Sequence, residues 1–125
     1  MTTDLLLDIN LQTVPDTYLT GTWQVASRVL NRNNPGSPLA QATRLVLNPD
    51  ATLLAHAEAP EAAAETGHWA VQRDELLNRP YLRFALLAED ARALVTRLRR
   101  SADGQQAQLN LYFATGMELQ LNLAA

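Results

Sequence analysis

The chain has 125 residues, of which 47% are hydrophobic and 18% are charged, and its formal net charge is -3 at pH 7. This size and composition predict a single globular domain with a packed core, and they exclude a disordered chain. The negative charge argues against nucleic-acid binding, and the lack of cysteine excludes disulfides, thiolate chemistry and cysteine-ligated metals.

The N-terminal segment is predicted to be neither a secretory signal nor a membrane span. No basic residue precedes its apolar run, and Asp8 and Asn10 interrupt that run. A cytoplasmic location is therefore expected. Residues 4–12 are apolar enough to form either an additional strand or an arm on the outside, and residues 14–19 are expected to form a short helical turn.

Alternation of apolar and polar residues with a period of two runs through most of the chain and predicts β-strands. Turn sequences such as Asn48-Pro49-Asp50 and Asp103-Gly104 separate the alternating runs. Eight strands are predicted, at 20–31, 42–48, 51–58, 66–74, 80–88, 92–100, 106–114 and 116–123.

The predicted fold is all-β, an antiparallel up-and-down eight-stranded barrel that forms one domain over residues 1–125. Closure is favoured because it removes the exposed edges of an open meander. Residues 31–41 are rich in Asn, Pro, Gly and Ser and form the longest predicted loop, which is expected to cover one mouth of the barrel. Residues 58–66 are expected to form a short helical turn.

The motif Gly21-Thr22-Trp23 opens the first long strand, ahead of the longest loop. In this respect the chain resembles the calycin superfamily of lipocalins, fatty-acid-binding proteins and avidins, over residues 14–123 as a pattern. The resemblance implies that Gly21 permits a close approach at the closed end of the barrel and that Trp23 plugs that end. The late-strand arginine of lipocalins has no match, since the last arginine is Arg100.

A second Gly-X-Trp sequence, Gly67-His68-Trp69, lies near the middle of the meander, where the calycin pattern requires none. The two motifs are therefore not interpreted as a duplicated functional unit. Trp69 is instead a candidate for the wall of a cavity, although a role as a second core plug is the simpler interpretation.

The predicted function is the binding of a small apolar or amphipathic ligand in the barrel cavity. An arginine that points inward needs an anion, such as a ligand carboxylate, whereas an outward arginine pairs with surface carboxylates. The alternation favours outward positions for the arginines of the later strands, including Arg99, without excluding an inward one. The candidate ligand-binding residues are Trp69, Tyr81, Arg83, Arg97 and Tyr112.

Two other functions remain open from the sequence. The many leucines suit a barrel filled by side chains, which would act as a structural or interaction module, with a homodimer through residues 116–123 as one form. An enzyme of calycin type would require an acid, a tyrosine or an arginine inside the cavity. No catalytic motif is present, and His56 and His68 lack a metal-binding spacing, so neither a metal nor a cofactor is expected.

Overall fold

A computed structural model describes residues 5–29, 38–57, 65–86 and 89–124, and it confirms the predicted closed barrel. Two short helical segments are described, a 3₁₀ turn at Asp16–Tyr18 and the helix α1 at Pro38–Gln41. The strands are β1 (Leu7–Asp8), β2 (Gly21–Val29), β3 (Ala42–Leu47), β4 (Thr52–Ala57), β5 (Glu65–Arg73), β6 (Pro80–Leu86), β7 (Asp90–Arg100), β8 (Ala107–Phe113) and β9 (Glu118–Leu123).

The barrel consists of β2 to β9, each paired antiparallel with the next, and β9 returns to pair with β2. Its two ends differ in how the chain connects the strands. We call the end that carries the start of β2 and the turns at 48–51, 74–79 and 101–106 the closed end. The other end carries α1 and the turn at 114–117, and we call it the α1 end.

The N-terminal segment forms both a strand and an arm. Leu7 and Asp8 pair with the last two residues of β7, and the amide of Ile9 donates to the carbonyl of Leu98 over 2.9 Å. Because the pairing of β6 with β7 stops at Leu94, the arm extends the wall along the rest of β7. The helical turn predicted for 58–66 lies outside the described residues, except for the first two residues of β5.

Trp23 lies buried at the closed end. Its side chain is fully buried, and its indole N–H donates to the carbonyl of Leu19, just after the 3₁₀ turn, over 3.0 Å. Gly21 has a φ of 135°, and a Cβ added there would lie 2.9 Å from Cδ1 of Leu123. A glycine is therefore required where β2 enters the barrel.

Two arginines hold the N-terminal segment against the closed end. The Arg73 guanidinium donates to the backbone carbonyls of Leu11, Val14 and Asn78 at 2.8–3.0 Å. The guanidinium of Arg100, the last residue of β7, lies over the Tyr18 ring, 3.8 Å from its centroid. Arg100 thus covers the aromatic ring of Tyr18 in the 3₁₀ turn. It is not the late-strand arginine of the lipocalin pattern, because its strand, β7, is followed by β8 and β9.

Trp69 is a second plug at the same end. Its side chain is 6% exposed, and its indole N–H donates over 2.9 Å to the carbonyl of Asn48, in the turn between β3 and β4. A Cβ on Gly67 would lie 2.1 Å from the carbonyl oxygen of Ala85, so β5 can pass this point of β6 only with glycine. Both Gly-X-Trp motifs therefore combine a glycine at which a Cβ would be crowded with an indole anchored to a backbone carbonyl.

Candidate functional site at the α1 end

The inward-facing residues of the barrel differ in size between its two ends. Toward the closed end they are large and fully or almost fully buried, and they include Trp23, Leu45, Leu47, Leu53, Trp69, Leu82, Leu109 and Leu121. Toward the α1 end, the inward positions of three neighbouring strands, β3, β4 and β5, are small except for the exposed Glu65, which pairs with Ala55 at the start of β5. The small residues are Ala42, Ala55, Ala57 and Gly67. The wall formed by β3 to β5 therefore leaves room inside the barrel at this end.

The opposite wall of the α1 end is filled. The rings of Phe84 on β6 and Phe113 on β8 stack with their centroids 5.8 Å apart. They lie beside two small residues of the intervening strand β7, because Ala91 pairs with Phe84 and Ala93 pairs with Phe113. The two alanines on β7 thus leave space for the two phenyl rings. The alanines on β3 and β4 have no aromatic partner in register.

Helix α1 fills the room left by the small residues. It packs against β4, and the side chain of Leu39 is fully buried, as Ala40 nearly is. The helix is only four residues long, and it lies at the end of the segment 31–41 that the sequence predicts as the longest loop. The expectation that residues 31–41 cover one mouth stays a prediction, because residues 31–37 lie outside the described part and only residues 38–41 are seen, as this helix.

Two charged side chains hold α1 at its two termini. The amide of Leu39, near the start of the helix, donates to Oε1 of Glu89 over 3.2 Å. At the other terminus the Arg28 guanidinium donates to the carbonyls of Ala40 and Ala42, the latter over 2.6 Å. The helix is therefore attached to the barrel through polar contacts as well as through the buried Leu39.

Arg28 faces the interior of the barrel. It pairs in register with Leu119, whose side chain is 2% exposed and points into the core, so the two residues share the inner face. Arg28 itself is half-buried. Among the residues that the structure describes, no carboxylate lies within ion-pair distance of its guanidinium.

The alternation of the sequence does not predict this orientation. Counting inward from Trp23 by twos places Val25, Ser27 and Val29 inside and Arg28 outside. A bulge between Val25 and Ser27 reverses the phase, so that Val29 is 59% exposed and Arg28 turns inward. In the sequence Val29 continues the apolar phase of Trp23 and Val25, so the pattern carries no sign of the bulge.

The residues predicted to bind ligand do not meet in one cavity. Trp69 points inward, but it lies toward the closed end with its N–H already engaged. Tyr81, Arg83, Arg97 and Tyr112 lie on the outer face of β6, β7 and β8, where Tyr112 is 45% exposed. A ligand-binding role for these four stays a prediction, and it would concern the outer wall of the barrel.

The outward arginines have carboxylate partners. Arg83 lies 2.9 Å from Oδ2 of Asp90, and Arg97 lies 3.0 Å from Oδ1 of Asp8 in the N-terminal arm, which also approaches Arg99. The hydrogen bonds from Arg97 and Arg83 lower the pKa values of Asp8 and Asp90, respectively. All of these side chains are substantially exposed, so each pair contributes little to stability.

The outer wall has a cleft of about 620 Å³ beside β4 and β5. It is lined by Thr52, Leu53, Leu54, Thr66, Gly67, His68, Ala85 and Leu86. His68 is exposed here, on the face opposite to Trp69, and His56 lies on β4 next to Arg44 in register. In the described ranges no three His, Cys, Asp or Glu side chains gather as a metal site would require.

Comparisons of the chain with family models, with curated proteins and with solved structures find no match. The barrel architecture is therefore established by the strand pairing itself. Within the described part of the chain, no helix has the length and apolar character needed to cross a membrane.

Proposed function

We propose that the protein binds a small apolar or amphipathic molecule inside the barrel at the α1 end. The observation that carries the proposal is the contrast in side-chain size, with Ala42, Ala55, Ala57 and Gly67 lining one wall of this end. At the closed end the corresponding positions are leucine and tryptophan. In a barrel that needed only to be filled, larger side chains on these strands could fill this end directly, without a leucine supplied by a four-residue helix.

In this proposal Leu39 occupies the site when no ligand is bound. The burial of one leucine on a four-residue helix is replaced by the burial of the ligand, and α1 moves outward. Burial of apolar surface would supply about 25 cal/mol per Å², or about 0.8 kcal/mol for each methylene group. A relationship to the calycins and a cytoplasmic location belong to the same proposal.

Binding to the protein as purified tests this function. Dodecanol and dodecanoate are suitable probes, measured by displacement of the neutral dye Nile red, and native mass spectrometry reports any ligand that co-purifies. We expect at least one of the two probes to bind at a ratio of one per chain. Failure of both to bind and to displace the dye would overturn the proposal.

A pair of alanine variants locates the site. Ala55 points inward on β4 and is 4% exposed, whereas Ala70 points outward on β5 and is exposed. Ala55→Leu should fill the room at the α1 end and weaken binding about tenfold or more, while Ala70→Leu should leave binding unchanged. Thermal unfolding of both variants shows whether Ala55→Leu has kept the fold. Equal effects of the two substitutions would contradict an interior site.

A second candidate function, a homodimer, is favoured by one feature of the outer wall. Tyr81, Leu94, Tyr112, Glu118 and Val29 follow one another in register across β6, β7, β8, β9 and β2, and we call this row the tyrosine face. Tyr112 and Val29 are 45% and 59% exposed. The tyrosine face includes Glu118 of β9, which lies in the segment 116–123 that the sequence suggests as a dimer contact.

The charges beside the tyrosine face are complementary to themselves. Arg92 lies over the Tyr81 ring, 5.3 Å from its centroid, and within the described ranges neither Arg92 nor Glu118 has an ion-pair partner. In a two-fold dimer, Arg92 of each copy can pair with Glu118 of the other.

Sedimentation of the wild type and of Tyr112→Arg tests the dimer, with Ala70→Arg as the control. Tyr112→Arg should dissociate the dimer and Ala70→Arg should not. A wild type that stays monomeric at high concentration would exclude the dimer.

A further inference from the structure

We infer that the ligand of the α1 end carries an anionic group, a carboxylate or its equivalent, and that Arg28 binds it. This inference rests on the proposed function, because it names the chemistry of the molecule that would enter the same site. It is carried by a different observation, the inward orientation of Arg28. No other arginine in the described ranges reaches the interior of this end: Arg73 and Arg100 lie at the closed end.

Arg28 has hydrogen-bonding capacity that the described residues around it do not use. A guanidinium has five N–H donors, and the contacts of Arg28 are with the carbonyls of Ala40 and Ala42. Both partners are neutral, and the described residues supply no carboxylate to balance the charge. Arg73 at the closed end differs, because three carbonyls from two parts of the chain surround it.

The position of Arg28 suits the head of an amphipathic ligand. It lies near the end of β2, close to the mouth, while the small residues of β3, β4 and β5 lie inside the same mouth. An apolar chain against Ala55 would therefore leave a carboxylate near the guanidinium. The two oxygens of a carboxylate match two parallel N–H groups, and partial burial strengthens the pair relative to one in water.

Glu89 and Arg28 place opposite charges on two sides of the site. Glu89 accepts from the Leu39 amide at the start of α1, whereas Arg28 contacts the carbonyls at the end of the helix. A bound anion is attracted to the Arg28 side and repelled from the Glu89 side. The ligand head is thus directed toward the β2 and β9 side of the mouth.

A matched pair of probes tests this inference on the intact protein. Dodecanoate and dodecanol have the same chain and differ in charge, so the ratio of their affinities isolates the head group. We expect dodecanoate to bind about tenfold or more tightly than dodecanol at pH 7.5 and low salt. Arg28→Gln should remove this preference by weakening dodecanoate alone, and Arg28→Lys should keep part of it.

The control variant is Arg44→Gln. Arg44 lies on the neighbouring strand β3 but is exposed on the outer face, so its loss should leave both affinities unchanged. Equal binding of the two probes by the wild type, or a preference that survives Arg28→Gln, would overturn the anion inference and leave the proposed function standing. Binding of neither probe would overturn both.

A measurement on the wild type covers the case in which Arg28→Gln fails to fold. Dodecanoate labelled with ¹³C at its carboxyl reports the ionisation of the bound head group by NMR. A guanidinium partner should hold the pKa of the bound carboxyl below that of the monomeric acid in water. A bound carboxyl whose pKa is unchanged or raised would show that no cation faces it, and it would contradict the inference.

Discussion

The two ends of this barrel are packed differently by the same strands, and this contrast underlies the proposal that one end provides stability and the other binds a ligand. At the closed end the inward residues are large, both indole N–H groups bond to backbone carbonyls, and Arg73 is surrounded by carbonyls. At the α1 end one wall is lined by alanine and glycine, a single leucine fills the gap, and Arg28 lacks a counter-charge among the described residues.

The turns follow the same division. Each turn of the closed end contains an aspartate whose carboxylate accepts hydrogen bonds from the turn: Asp50 from Thr52, Asp74 from the Leu77 amide, and Asp103 from Ser101 and the Gln105 amide. These bonds lower the pKa values of all three carboxyls. The turn at 114–117 has no acidic residue and is closed by backbone hydrogen bonds.

The largest expected difference between the ends comes from removing one buried leucine at each. Leu121 in β9 and Leu39 in α1 are both fully buried. Leu121→Ala should destabilise the protein by about 3–5 kcal/mol, because rigid strands surround the cavity it leaves. Leu39→Ala should cost about 2 kcal/mol, because a four-residue helix can settle into the gap, and it should also tighten ligand binding.

Urea unfolding of the two leucine variants, together with Nile red binding, measures both effects. The comparison fails if Leu39→Ala is the more destabilising substitution, or if it weakens binding of the dye. Either result would make α1 a part of the permanent core.

A smaller difference is expected from two glycines with positive φ. Gly21 at the closed end has φ 135°, and an added Cβ would meet Leu123; Gly116 in the turn at 114–117 has φ 96° with open space around it. Both alanine variants incur the backbone strain, about 1–3 kcal/mol. Gly21→Ala should lower the thermal midpoint further, because it also displaces Leu123. Equal midpoints would show that Leu123 moves aside without cost.

The smallest effect is the response of the closed end to acid. A carboxyl whose pKa is lowered by folding stabilises the protein above its unfolded pKa of about 3.9, and this contribution is lost as the pH falls through the lowered value. The difference in thermal midpoint between the wild type and Asp74→Asn should therefore be present at pH 7 and shrink as the pH falls below the unfolded value and through the lowered pKa of Asp74. A difference that stays constant with pH would contradict the ionised role of Asp74.

Much of the fold follows from the sequence because the strands obey simple alternation and the turns carry their own signals. The predicted strand at 116–123 appears as β9 from Glu118 to Leu123, and the aspartates and glycines of the turns mark the boundaries. The sequence does not decide whether the N-terminal segment forms a strand or an arm, because its pairing depends on β7 extending beyond β6. Only the tertiary register decides this.

The candidate site was harder to predict. Choosing aromatic and arginine residues as ligand contacts directs attention to Tyr81, Arg83, Arg97 and Tyr112, and strand alternation places these outside. The α1 end is marked instead by small residues, which carry no chemical signature, and by Arg28, which a bulge turns inward. A local departure from alternation of this kind cannot be read from hydrophobicity alone.

The most direct test of the division between the ends is a ¹H–¹⁵N NMR titration of the protein with dodecanoate. Binding at the α1 end predicts shifts of the amides of Arg28, Leu39 and Ala55, while the indole signals of Trp23 and Trp69 stay in place. Shifts centred on Tyr81 and Tyr112, or on the two indoles, would contradict the assignment of binding to the α1 end.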